Sequence, residues 1–130
     1  MTIPVSLALS AVLAWLMLIT ASYVKREGWT PEGARLLSSN RDREPTPSVI
    51  GARSDRAARN MVENLVLFTA LAVAVLFSGE TGGRAQIGAN VFFAARVVYW
   101  PVYVFGFPWL RVAAWGTGVL GMALMATAWL

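Results

Sequence analysis

A basic, hydrogen-bonding stripe, Arg56-Ala57-Ala58-Arg59-Asn60-Met61-Val62-Glu63-Asn64, opens the second apolar stretch of the chain. Arg56, then Arg59 or Asn60, then Glu63 follow i, i+3 or i+4, i+7 spacing, which lines them up on one face of a helix. Arg96, Tyr99 and Tyr103 repeat the i, i+3, i+7 pattern further on, and Arg111 stands just after Pro108. Guanidinium binds carboxylate bidentately, so arginines gathered beside Asn and Tyr suit a small anion bearing carboxylates. The chain has no Cys and no His. It therefore lacks a cysteine nucleophile, a thiolate metal site and the commonest general base. Chemistry falls to Arg, Tyr, Glu, Asn, Ser or a bound cofactor.

The elements that must position these residues are apolar. Of 130 residues, 57% are hydrophobic and 14% charged, against roughly 45 to 50% and about 25% in soluble domains. Too few polar residues are available to cover a water-soluble globule. Ile3 to Val24 carry no charge and, at ~1.5 Å per residue, make about 33 Å of helix, enough to cross a hydrocarbon core of roughly 30 Å. A secretory signal is the rival reading. No basic n-region precedes the stretch, its apolar run is too long, and Lys25-Arg26 follow it like a stop-transfer anchor. Residues 25–55 form a polar loop in which Lys25, Arg26, Arg35, Arg41, Arg43 and Arg53 mix with Glu27, Glu32, Asp42, Glu44 and Asp55. Within it Thr30-Pro31-Glu32 suits the start of a short surface helix, and Pro45-Thr46-Pro47 is expected to be extended. Further apolar spans follow over 57–77, 85–105 and 109–129, the second opened by Ser54 and Asp55 as caps and closed by the glycine-rich Ser78–Gly83 turn. Short links force antiparallel neighbours. The expectation is one all-α integral membrane domain over 1–130, a four-helix transmembrane bundle with both termini on the same side. Ala114, Gly116, Gly118, Gly121 and Ala123 permit close packing of the last span.

Lys and Arg crowd the long loop and the start of the second span, with Arg111 at the same side and Arg84 alone opposite. The excess predicts a cytoplasmic loop, in the inner membrane if the source is bacterial. The net charge of +4 then needs no nucleic acid. Ionisable residues inside spans are costly and mark function or a buried pair. Arg56 can snorkel to the head groups, but Glu63 lies one and a half to two turns deeper and needs a hydrogen-bonded partner or must be neutral. Arg96, in the same half of an antiparallel neighbour, is the expected one. The bland readings are a pair that only fixes helix alignment, tyrosines in an interfacial belt, and Arg111 as a snorkelling anchor.

Three segments resemble a known family, the membrane-associated proteins in eicosanoid and glutathione metabolism, which includes microsomal glutathione transferases and prostaglandin E synthase. They are Arg56 through Asn64, Ala95-Arg96-Val97-Val98-Tyr99 with Tyr103, and Pro108-Trp109-Leu110-Arg111 leading to Trp115-Gly116. Length, four spans and a long first loop agree, so the resemblance covers essentially the whole chain. It implies a homotrimer of four-helix bundles, with glutathione held between neighbouring subunits near the cytoplasmic face. Arg59, Asn60, Glu63, Arg96, Tyr103 and Arg111 match positions that hold glutathione in family members, and Arg56 matches the first arginine of the family's segment. Tyr99 is a departure, since some members carry His there, and the turn before Arg111 is short.

The function this resemblance implies is a glutathione-dependent transferase or peroxidase for hydrophobic electrophiles. Arg111 would stabilise the thiolate and Tyr103 donate to it, while Arg56, Arg59, Asn60, Glu63, Arg96 and Tyr99 position the cofactor. The partners are the lipid bilayer, further copies of the chain and a hydrophobic small molecule. The alternatives are a non-catalytic member serving as membrane subunit or lipid-binding scaffold, and a four-span multidrug exporter. The exporter is disfavoured because the first span carries no carboxylate.

Overall fold

The structure, a computed structural model, describes residues 1–40 and 45–128. Arg41, Asp42, Arg43 and Glu44 of the loop and the end of the fourth span at 129 lie outside the described residues. The elements run α1 (Ile3–Lys25), α2 (Pro31–Leu37), α3 (Val49–Ser78), α4 (Gly83–Phe105) and α5 (Pro108–Ala126). Four of them, α1, α3, α4 and α5, are long and apolar enough to cross a membrane. Between 28% and 33% of the most apolar window of each is buried inside the bundle, so most of that surface is left for lipid. Trp15, Leu67, Phe77, Phe105, Trp109 and Leu120 are among the large side chains that face outward. The protein is an all-α, four-span membrane bundle.

Local chemistry explains the boundaries. Pro at the first turn begins α1, α2 and α5, where the missing N–H costs nothing. In α2 the Thr30 hydroxyl accepts from the Gly33 amide at 3.0 Å, as the Thr-Pro-Glu sequence suggests. Helix α3 begins at Val49, ahead of the apolar run at 57, because Ser48 caps it: the Ser48 hydroxyl accepts from the Gly51 amide at 3.1 Å. Its first turn, Val49 to Ala52, is separated from the apolar stretch at 57 by the polar turn Arg53-Ser54-Asp55-Arg56, so the helix extends further back than the long apolar run. Gly79 and Gly106, at φ of 78° and 84°, end α3 and α4 in the left-handed conformation that glycine adopts without penalty.

Helix α4 packs most extensively on α5, and α1 on α3. Gly88 and Gly121 let α4 and α5 touch backbone to backbone, since a Cβ on either would meet the carbonyl oxygen of the other. The core has two apolar clusters. One, toward the chain's N-terminus, centres on Phe68 stacked against Phe92 at 4.1 Å between ring centres, with Ile3, Val75 and Met125 around it. The other, toward the loop, gathers Leu13, Met17, Ala57, Met61 and Tyr99.

Candidate functional site

The site lies at the loop-side end of the bundle, where α3 starts and α4 turns into α5. The helical repeat of α3 divides its polar residues between two faces. Ala57, Ala58, Met61, Asn64 and Phe68 point into the bundle, whereas Arg56, Arg59 and Glu63 point out of it and Asn60 sits half-buried at the edge. The expected stripe is therefore real for Arg56, Arg59 and Glu63 as an exposed face, and of the three Arg56 lines a cavity with Tyr103 of α4.

Arg96 is the largest fully buried side chain, at 0% exposure. Its Nη1 donates to Asn60 Oδ1 and its Nη2 to Asn64 Oδ1, both at 3.1 Å. Asn64 is held in turn, donating through Nδ2 to the Asn60 carbonyl oxygen at 2.8 Å. The guanidinium also lies 5.1 Å from the Phe92 ring centre and 5.3 Å from that of Tyr99. Gly118 of α5 makes the space, because a Cβ there would stand 2.9 Å from Nη2. The expected Glu63–Arg96 contact does not form. Glu63 is exposed on the outer face, and among the described residues it has no ion pair. The physical reason is angular: successive helical residues are about 100° apart, so Asn64 faces α4 when Glu63 faces away.

From Arg96 a ladder of stacked groups runs to the bundle's end. The Tyr99 ring meets Tyr103 edge-on at 5.4 Å, and the Arg111 guanidinium lies 5.1 Å from the Tyr103 ring centre. Tyr99 is buried, while Tyr103 and Arg111 are half-exposed. This pair separates two cavities. One, of about 260 Å³, is polar and is lined by Arg53, Arg56, Tyr103, Gly106 and Arg111. The other, of about 370 Å³, lies against Tyr99, Val112 and Trp115. An apolar groove of about 450 Å³ runs between α4 and α5 past Val98, Leu110 and Ala113, and Val102 belongs to both the groove and the polar cavity.

Arg59 is spoken for at its own surface. It pairs with Asp55 one turn earlier at 2.5 Å, and Lys25 of α1 reaches the same carboxylate at 3.8 Å. Arg53, Arg56 and Arg111 have no ion pair among the described residues. Two residues of this arrangement are absent from the sequence-based site. Arg53 belongs by composition to the loop, yet α3 reaches back to include it. Asn64 is overshadowed by its charged neighbour, although Ala57, Met61, Asn64 and Phe68 already spell the inward face at i+3 and i+4 spacing.

The donors around the polar cavity are cations and a phenol, fit for an anion with oxygen or sulfur acceptors. Among the described residues no cluster of three His, Cys, Asp or Glu is placed to hold a metal ion. No curated protein and no solved structure matches the chain. The MAPEG family matches it over residues 2–130, essentially its whole length, and with four apolar spanning helices of the expected order the chain belongs to that family of membrane proteins of glutathione and eicosanoid metabolism.

Proposed function

We propose that the protein is a glutathione-dependent membrane transferase or peroxidase acting on hydrophobic electrophiles. The observation that carries this reading is the Arg111–Tyr103 pair, which lines both a cationic cavity and a second cavity bounded by Tyr99, Val112 and Trp115. Glutathione supplies the sulfur nucleophile that a chain without Cys lacks. Arg111 stabilises the thiolate: a free thiol has a pKa near 8.5, and an adjacent guanidinium raises the thiolate fraction at neutral pH. Tyr103 donates a hydrogen bond to the same sulfur. Arg56 and Asn60 bind the carboxylates and backbone of the peptide, Arg59 joins them by exchanging its Asp55 partner for the ligand, and Glu63 accepts from the ammonium group of the peptide. Arg96 and Tyr99 act from behind by fixing Asn60 and Tyr103.

The outward position of Glu63 supports a ligand site shared between copies of the chain. A carboxylate turned toward hydrocarbon is costly, and a neighbouring bundle that covers the Arg56–Arg59–Glu63 face removes that cost. We therefore take the assembly to be a homotrimer, with the polar loop and this face on the cytoplasmic side, as the excess of Lys and Arg predicts. The test is a glutathione titration of the purified protein in detergent, followed by ultraviolet thiolate absorbance together with oligomer mass. Saturable thiolate absorbance from a trimer is the expected result. Neither binding nor absorbance would leave a scaffold or lipid-binding role as the better reading.

A further inference from the structure

A second face of α4 carries polar groups that the thiol chemistry does not use. Val97, Trp100, Pro101 and Val104 line an apolar groove of about 400 Å³ together with Thr20 of α1 and Ser54 of α3, at the loop-side end of the bundle. Pro101 stands two residues from Tyr99 and from Tyr103, about 200° of helical rotation, so the groove opens away from the Arg111–Tyr103 pair. Three hydrogen-bonding side chains on its walls lack a partner. The hydroxyls of Thr20 and Ser54 and the indole N–H of Trp100 make no hydrogen bond among the described residues, and Ser54 is only 2% exposed. A fourth polar atom comes from the backbone. Pro101 has no N–H to give, which leaves the Val97 carbonyl oxygen without the donor that the next turn of an α-helix supplies. In a spanning helix a neighbouring Ser or Thr commonly takes up such a freed carbonyl, yet here neither of the two hydroxyls on the groove bonds to it. Orphaned polar groups facing an apolar groove cost free energy until a ligand satisfies them.

We propose that this groove binds a neutral bilayer lipid whose polar end is a hydroxyl-bearing glycerol, a monoacylglycerol being the simplest of the class. Charge selects the class. No Asp, Glu, Lys or Arg lines the groove among the described residues, so a phosphate or carboxylate would be buried there unpaired. A hydroxyl both donates and accepts, which suits a wall offering a carbonyl acceptor, two hydroxyls and an indole donor. The glycerol donates to the Val97 carbonyl oxygen and exchanges hydrogen bonds with Thr20 and Ser54, Trp100 donates to an ester oxygen, and Ile50 and Phe105 offer apolar wall to the chain. The frame of the groove is fixed. Trp100 packs on the loop-side core cluster, and a Cβ at Gly51 would stand 2.9 Å from the Lys25 Cα, so the start of α3 is pressed against the end of α1. The inference is independent of the glutathione reading, because the groove shares no residue with those given to thiol binding.

The experiment follows tryptophan fluorescence of the purified full-length protein in phosphatidylcholine bilayers as a monoacylglycerol with a dibrominated chain is added. The controls carry the same brominated chain at the same mole fraction, one as phosphatidylcholine and one as a fatty acid methyl ester without a hydroxyl. The wild type is expected to show saturable quenching by the monoacylglycerol in excess of both controls, and Trp100→Phe to lose that excess. Thr20→Val and Ser54→Ala, which remove one hydroxyl each, should each weaken the apparent affinity about three- to tenfold. Pro101→Ala returns the N–H that the Val97 carbonyl lacks, so it should raise the melting temperature and weaken the probe together. A proline that serves helix shape alone would not move the second. Equal quenching of the wild type by the monoacylglycerol and either control overturns the site, whatever the variants do to folding. An excess that survives Thr20→Val, Ser54→Ala and Pro101→Ala overturns it as well.

Discussion

Arg96 Nη2 donates to Asn64 Oδ1 at 3.1 Å inside the bundle, so a fully buried cation is held by a neutral amide rather than by a carboxylate. Removing that acceptor strands a charged donor away from water, which costs several kcal/mol when nothing replaces it. Asn64→Ala is expected to lower stability by about 2 to 4 kcal/mol. Asn60→Ala should cost less, because Asn60 is only half-buried and water or head groups can substitute. Thermal unfolding in one detergent, compared across the two variants, checks the order.

Gly118 and Gly116 share a helix but have opposite surroundings. A Cβ at Gly118 would press on the Arg96 guanidinium at 2.9 Å, whereas one at Gly116 meets nothing within 4 Å. Gly118→Ala should destabilise by about 1 to 3 kcal/mol through overpacking. Gly116→Ala should be neutral or stabilise by up to about 1 kcal/mol, since alanine is the better helix former. Melting temperatures of the pair settle whether the guanidinium is wedged as described.

Tyr103 offers Arg111 a ring and the sulfur a hydroxyl, and the two roles separate by substitution. Tyr103→Phe keeps the ring beneath the guanidinium and is expected to reduce thiolate formation about tenfold. Arg111→Ala should reduce it by about 100-fold or more, the scale of losing a charge-stabilising donor. The readout is thiolate absorbance at saturating glutathione. Equal effects of the two variants would place the main role of Tyr103 in orienting Arg111.

Glu63 on the outer face is a test of assembly. Covered by a neighbouring copy and paired there, it makes Glu63→Gln loosen the trimer and Glu63→Lys break it, with the oligomer mass falling in light scattering. A trimer indifferent to both substitutions would place Glu63 outside the contact between copies.

The sequence made the spanning helices readable because apolar length is nearly all a membrane asks of them; Ile3 to Val24 needs only a count. The start of α3 was less visible, since the polar turn Arg53-Ser54-Asp55-Arg56 interrupts the apolar pattern between Val49–Ala52 and the long run from 57. The site was legible as a set of residue types and not as contacts. Charge drew attention to Glu63 as the partner of Arg96, but a step of one residue turns a helix by about 100°, and the amide next door carries the bond. Arg53 escaped for the same reason as the start of α3: it stands in that polar turn.

Helix α3 has 30 residues against 23 in α4, so at ~1.5 Å per residue it is about 45 Å long and exceeds the hydrocarbon core by roughly 15 Å. The surplus is its loop-side end, where Arg53 and Arg56 stand. A dissolved anion thus meets positive potential before it meets lipid, and its capture becomes a matter of electrostatic steering: the association rate should fall as ionic strength rises, while the dissociation rate, governed by close contacts within the cavity, should change far less.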